Sequence, residues 1–251
     1  MRPIRLLLII PLFLFSLHSY GQVTTVAVAA NMKDAFIAIN EAFRATDQSD
    51  IRAIYGSSGN FAAQIINGAP FHLFISADEY YPLELYKKKI AVDEGKVYAI
   101  GKLVLLTKKS KGIALLDTKT DLTTIFSKAN KIAIAKPELA PYGSAAVEYM
   151  KAAGLWDLAK NKLVYADNIS VATSYIASGA ADIGFTALSL AQTPAIAKET
   201  HYLMVNERLY TPIKQRMVLI KNPPQNAIKL YQFMQTPKAR AILASFGYAL
   251  P

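Results

Sequence analysis

Short apolar runs alternate with helix-spaced apolar faces along most of the chain. Residues 25–29 read Thr-Val-Ala-Val-Ala, a strand pattern, and Asn31 follows at a position suited to capping a helix. Behind it Met32, Phe36, Ile39 and Phe43 stand four, three and four residues apart, one face of a helix. Residues 51–55 predict a second strand, Gly56-Ser57-Ser58-Gly59 a turn, and residues 61–66 a helix that Gly68 and Pro70 terminate. A third strand at 72–76 leads into Ala77-Asp78.

The rhythm continues in the second half. Strands are predicted at 103–107, 131–135, 163–166 and within 179–185, with helices at 144–154 and 171–178. A late strand at 217–220 precedes one or two helices over 226–245, broken near Pro237. There is no short-period repeat and no low-complexity segment. Alternation of this kind predicts parallel α/β units. Four strand-to-helix turns, around Asn31, Ser58, Tyr142 and Ile169, are rich in small or polar residues. In open α/β sheets ligands bind beyond the carboxyl ends of the strands. Each turn there presents unpaired helix N–H groups and the positive end of a helix dipole. Two turns fall early and two late, an arrangement that suits two lobes facing across an anion-binding cleft.

The amino terminus changes the picture of where the chain works. Arg2 and Arg5 precede an apolar stretch over 6–15, and Ser19-Tyr20-Gly21 offers small residues before a cleavage point. This is the pattern of a secretory signal peptide over 1–21, cleaved after Gly21; a membrane-spanning helix needs about 20 apolar residues. Absence of cysteine excludes a lipidated cysteine, disulfides, thiolate metal sites and cysteine nucleophiles. The net charge of +10 falls to +8 without Arg2 and Arg5. Its lysines are scattered, and Lys87-Lys88-Lys89 reads as a solvated helix end. No basic stripe interleaved with aromatics points to nucleic acid.

Catalytic signatures are absent: there is no H-E-x-x-H, P-loop, G-x-G-x-x-G or G-x-S-x-G. Beyond residue 21 only His72 and His201 remain, and His72 inside an apolar strand reads as structural. A triad of Ser58, His72 and Asp78 can be imagined, but no spacing demands it. The Gly56–Gly59 stretch fits a tight turn capped by Ser58 and equally a loop that lets backbone approach a ligand. Tyr142 either packs under a helix or aims its hydroxyl at a ligand, whereas Ile169 can act only through its backbone N–H.

Seven segments, in order and covering nearly all of 22–251, carry a resemblance. They are Ala29-Ala30-Asn31-Met32, Tyr55-Gly56-Ser57-Ser58-Gly59, the stretch 64–71, Phe74-Ile75-Ser76-Ala77-Asp78, the stretch 98–104, Ala140-Pro141-Tyr142-Gly143, and the stretch 178–185. Together they resemble the periplasmic molybdate-binding proteins. The resemblance implies an α/β, two-lobed periplasmic-binding-protein fold of type II topology, with a ligand cleft between the lobes. One lobe would comprise 22–101 plus 214–251 and the other 102–213. It implies an oxyanion site at Ala30, Asn31, Ser58, Tyr142 and Ile169, with no catalytic residue, no cofactor and no direct metal-cation ligand. It also implies molybdate or tungstate as ligand, a periplasmic monomer, and the membrane permease of an ABC importer as partner. Two positions depart from the family's pattern: Ala187 replaces a tyrosine, and His72 replaces an aspartate. Asn31 and Tyr142 match a branch of the family that carries both.

A fully deprotonated tetrahedral dianion offers only acceptors, so its site should offer only donors: backbone N–H groups, the hydroxyls of Ser58 and Tyr142, and the amide N–H₂ of Asn31. Carboxylates at Glu138 and Asp167, close to two of the turns, should therefore point away. Sulfate, phosphate or a small organic anion remains an alternative ligand, and a hydrolase on the same scaffold an alternative activity.

Overall fold

Ten strands divide between two five-stranded sheets in the computed structural model, which describes residues 23–47, 49–115 and 119–251. The segment 1–21, expected from the sequence to be a signal peptide, lies outside the described residues. The chain begins with β1 (Thr24–Ala29), a 3-10 turn (Ala30–Met32), α1 (Lys33–Arg44), β2 (Ile51–Gly56), α2 (Ser58–Ile66), β3 (Leu73–Ile75), α3 (Tyr80–Lys87) and β4 (Lys96–Gly101). It then enters the second sheet with β5 (Leu103–Lys108), α4 (Lys119–Lys128), β6 (Ile132–Ala135), α5 (Pro141–Ala152), α6 (Trp156–Ala159), β7 (Leu163–Ala166) and α7 (Ile169–Ser178). That half closes with β8 (Ile183–Ala187), α8 (Leu188–Ala191), α9 (Pro194–Glu199) and β9 (Thr200–Met204). The chain returns through β10 (Ile213–Leu219), α10 (Gln225–Phe233) and α11 (Pro237–Ser245).

The first sheet has the order β2-β1-β3-β10-β4, the second β7-β6-β8-β5-β9. In the first, β1 pairs in parallel with β2 and β3, while β10 runs antiparallel to β3 and β4. Alternation along the strands sends side chains to both faces. Val26 and Val28 pack with Phe36, Ile39, Leu230 and Leu243, whereas Ala27 packs with Phe61, Ile65 and Leu85. The second sheet repeats the plan: Leu103 and Leu105 face Phe126 and Tyr149, and Val104 and Leu106 face Ile176 and Leu188. Each sheet therefore has its own two-sided core. The chain passes between them at Gly101–Leu103 and again between β9 and β10.

Helix starts differ from the sequence reading in a way that matters for the site. Helix α5 begins at Pro141 rather than near 144, because proline at the first position has the required φ and lacks an N–H that would go unpaired. Helix α7 begins at Ile169, capped by Asn168, whose side-chain oxygen accepts the Val171 N–H at 3.1 Å. Asn31 caps no helix; it lies within the 3-10 turn, buried to 2 % exposure. Ser58 is the first residue of α2 and the cap position belongs to Ser57. Tyr142, Ile169 and Ser58 thus all stand in first helical turns, where backbone N–H groups have no partner within the helix.

Candidate functional site

The four turns meet. Ala29, Ala30 and Asn31 at the end of β1, Gly56, Ser57 and Ser58 at the end of β2, and Ala77 beyond β3 form one wall of a small cavity. Ala140, Pro141 and Tyr142 at the start of α5, with Asn168 and Ile169 at the start of α7, form the other. All five residues expected from the sequence, Ala30, Asn31, Ser58, Tyr142 and Ile169, line this one space. Two polar residues join them that the sequence reading did not assign: Ser57 and Asn168. Ser57 stood in plain view inside the Gly-Ser-Ser-Gly motif; Asn168 is the kind of residue expected immediately before a helix.

Hydrogen bonds define what the walls offer. The Ser58 Oγ accepts the buried Ala77 N–H at 2.9 Å, which leaves its own hydrogen uncommitted. Ser57 makes no side-chain capping bond, and its buried Oγ has no partner. Asn31 donates from Nδ2 to the Gln215 Oε1 at 2.9 Å and to the Tyr248 hydroxyl at 2.8 Å. Its amide hydrogens are therefore engaged with the protein, contrary to the expectation that they are free for an anion, and its Oδ1 is buried without a partner.

Tyr142 makes a contact that its place in the turn did not suggest. Its residue lines the cavity, but its hydroxyl oxygen accepts Gln215 Nε2–H at 3.1 Å and lies beside Gly101, neither of which lines the cavity. Burial holds the Tyr98, Tyr142 and Tyr248 hydroxyls well above the usual phenol range, so all three stay protonated.

The lobes are closed on each other around this space. The Ser170 Oγ donates to the Ala30 carbonyl at 3.0 Å, Gly59 N–H to Leu139 O at 2.9 Å, and the Tyr81 hydroxyl to Glu138 O at 2.8 Å. A side chain at residue 59 would strike the Leu139 backbone, so the approach of α2 to the opposite wall requires glycine there. No charged side chain is among the lining residues. Asp167 is turned outward onto Lys136 at 2.7 Å, and Glu138 is exposed. The carboxylates adjacent to the turns thus stay out of the cavity, as donor-only chemistry requires.

Both departures noted in the sequence have structural settings. The backbone N–H of Thr25 donates to His72 Nδ1 at 3.0 Å, and burial pushes the imidazole below its usual range, so it serves as a neutral acceptor. His72 precedes β3 whereas Ala77 follows it, which separates the imidazole from Ser58 by the length of the strand. Ala187 is fully buried at the end of β8, opposite Leu103 and in the same core cluster as Tyr142. Among the described residues no cluster of His, Cys, Asp and Glu could hold a metal ion, and no helix is long and apolar enough to cross a membrane.

With this geometry in hand, the relatives are informative. Residues 24–249 match the family described as bacterial extracellular solute-binding protein. The chain belongs to that family. It is 38 % identical to the molybdate-binding protein ModA of Rhodobacter capsulatus over 88 % of this chain and 86 % of that one. It is 34 % identical to ModA of Azotobacter vinelandii over 90 % and 89 % of the two chains. The solved periplasmic molybdate-binding protein of Azotobacter vinelandii superposes with a TM-score of 0.83 at 34 % identity, covering 91 % of this chain and 99 % of that one. The two-lobed periplasmic-binding-protein fold is therefore common to both.

Proposed function

We propose that this chain captures molybdate or tungstate between its lobes and delivers the anion to the membrane permease of an ABC importer. The observation that carries the reading is the small cavity walled by four helix or 3-10 starts and lined by no charged side chain. Hydroxyls of Ser57 and Ser58 and backbone N–H groups at Ala30, Asn31, Tyr142 and Ile169 supply donors. Convergent helix N-termini supply the positive potential. Charge-assisted hydrogen bonds of about 1.5–3 kcal/mol each make a lysine or arginine unnecessary. The protein works as an exported monomer, cleaved after Gly21, whose lobes comprise 22–101 plus 214–251 and 102–213. Molybdate and tungstate carry the same charge and nearly the same size, so one site serves both.

One observation favours a different anion. The buried, unpartnered Oδ1 of Asn31 is an acceptor that a monoprotonated anion such as hydrogen phosphate would satisfy. A thermal-shift titration with molybdate, tungstate, sulfate and phosphate at matched ionic strength separates the two readings. Ligand at about one hundred times its dissociation constant stabilises the bound form by about 2.7 kcal/mol. At this chain length that is a rise of roughly 5–10 °C. A shift with molybdate and tungstate alone supports the proposal. A shift with phosphate alone transfers the site to a protonated anion, and no shift with any of the four overturns the oxyanion reading.

A further inference from the structure

Behind the cavity lies a buried polar group that binding itself does not explain. Gln215 on β10 is fully buried in an inward register whose other members, Ile213, Met217 and Leu219, are apolar. An uncharged amide at such a position is costly unless every polar atom is paired. Here the pairing is complete: Oε1 accepts from Asn31 Nδ2 at 2.9 Å and lies 2.9 Å from the Tyr98 hydroxyl, while Nε2 donates to the Tyr142 hydroxyl oxygen at 3.1 Å. The β10–β4 register shifts between Gln215 and Arg216, and a bulge of this kind re-aims the side chain it carries. Gln215 thus belongs to one lobe's sheet, and its outermost partner, Tyr142, belongs to the other lobe.

Gly101, the last residue of β4 at the first crossing between the sheets, completes the arrangement. Its φ is not in the left-handed region, so nothing in its backbone demands glycine. The demand is steric. A Cβ there would overlap the Tyr142 hydroxyl oxygen, and would lie 2.5 Å from Gln215 Nε2 and 2.9 Å from Tyr142 Cζ. The phenol from the second lobe is therefore inserted where both crossing strands of the hinge meet, in a slot that only glycine leaves open.

We infer that Tyr142, Gln215 and Gly101 form a closure latch, in which the phenol enters the hinge as the lobes shut and Gln215 holds it there. Gln215 and Gly101 are positioning residues: they set the balance between open and closed forms and touch no ligand. The same amide steadies Asn31 on the cavity wall, so seating of the phenol and ordering of that wall occur together. A ligand that binds the closed form gains affinity in proportion to how far this latch favours closure. The inference concerns molybdate affinity only through the proposed function above, but the lobe motion can be read without any anion.

The test uses spin labels on Gln64→Cys and Glu138→Cys, exposed positions on opposite lobes of a chain without cysteine. Inter-lobe distances are measured with and without molybdate, alongside calorimetric affinity, for the parent, Gly101→Ala, Tyr142→Phe and the double variant. Gly101→Ala should deplete the short-distance population and weaken molybdate binding at least tenfold. Tyr142→Phe alone should weaken binding severalfold. In the Gly101→Ala background the same change should recover part of the lost affinity, because it removes the oxygen that the new methyl overlaps and leaves only Gln215 Nε2 at 2.5 Å and the ring carbon at 2.9 Å to shift. That reversal of sign is not expected of residues that merely support the fold. Equal short-distance populations in the parent and Gly101→Ala, or additive losses in the double variant, would overturn the latch. If the parent binds no molybdate, the anion assignment fails, and the anion-free distance distributions still decide the latch: depletion in Gly101→Ala with recovery in the double variant supports it, and no change overturns it.

Discussion

The lobes meet in two neighbouring spaces of opposite character. The cavity is lined by Ala77 and carries no charged side chain, whereas the larger groove beside it is lined by Asp78, Glu79, Glu148 and Lys214. Pro141 borders both, and consecutive residues of one turn, Ala77 and Asp78, look into different spaces. In the groove the charges find protein partners: Glu79 pairs with Arg216 at 2.6 Å, and Glu148 accepts the Thr211 N–H at 2.7 Å. In the cavity hydroxyl hydrogens are left over. The comparison teaches that anion selectivity here rests less on placing positive charge than on sorting carboxylates, one residue at a time, away from the converging helix starts.

Moving a carboxylate across that boundary should have the largest effect. Ser57→Asp places a carboxylate at the cap position of α2, where the helix N-terminus favours negative charge but burial opposes it, so melting should fall while the fold is kept. A carboxylate about 4 Å from an anion costs on the order of 4 kcal/mol per unit of anion charge at an effective dielectric of 20. Calorimetry should therefore find molybdate affinity reduced by a thousandfold or more, roughly the ratio that 4 kcal/mol represents. Near-parent affinity in this variant would place the anion elsewhere.

Ser58→Ala probes the same wall more gently. It removes one donor from the ligand and the acceptor of a buried backbone N–H from the fold. Affinity should fall at least tenfold, about 1.4 kcal/mol, and melting should drop by a few degrees for a loss of about 1 kcal/mol. Ser57→Ala, whose Oγ bonds to nothing in the protein, should lower affinity with no loss of melting temperature. Identical behaviour of the two variants would contradict the distinction between them.

The groove side gives the smallest effect and a pH signature. Burial raises the Asp78 carboxyl from its ordinary 3.8 to about 6, against the opposing bonds from Ser76 and the Tyr81 N–H. A raised native value means that the contribution is full below about pH 4 and is lost as pH rises through about 6. Asp78→Asn should therefore melt like the parent near pH 4 and a few degrees above it at pH 7. A difference independent of pH would show that the carboxyl is well solvated.

The four turns were legible because glycine, serine, proline and asparagine at strand ends have local reasons to be there. Most strands of both cores were legible from their apolar runs, since residues such as Val26 and Leu105 are inward whatever the rest of the chain does. Strand β4, helix α4 and edge strand β9 were not, and of helix α3 only the lysine-rich end was, because their partly exposed faces interrupt the periodicity; β9 carries exposed His201 and Tyr202. The hinge network was least legible. Asn31 meets Gln215 and Tyr248 across 184 and 217 residues of chain, and a lone glutamine in an apolar register was the only local sign. For the same reason the contact of the Tyr142 hydroxyl with Gln215 and Gly101 was not legible: sequence places the residue at the turn but cannot tell which way a phenol leaves it.

The central claim is that an uncharged cavity of donors holds one tetrahedral dianion between the lobes. A crystal of the protein grown with molybdate and measured at the molybdenum absorption edge tests it most directly. A single strong anomalous peak is expected between the Ser57–Ser58 turn and the starts of α5 and α7, surrounded only by N–H and O–H groups. A peak in the Asp78 groove or at surface lysines, with the cavity empty, would contradict it.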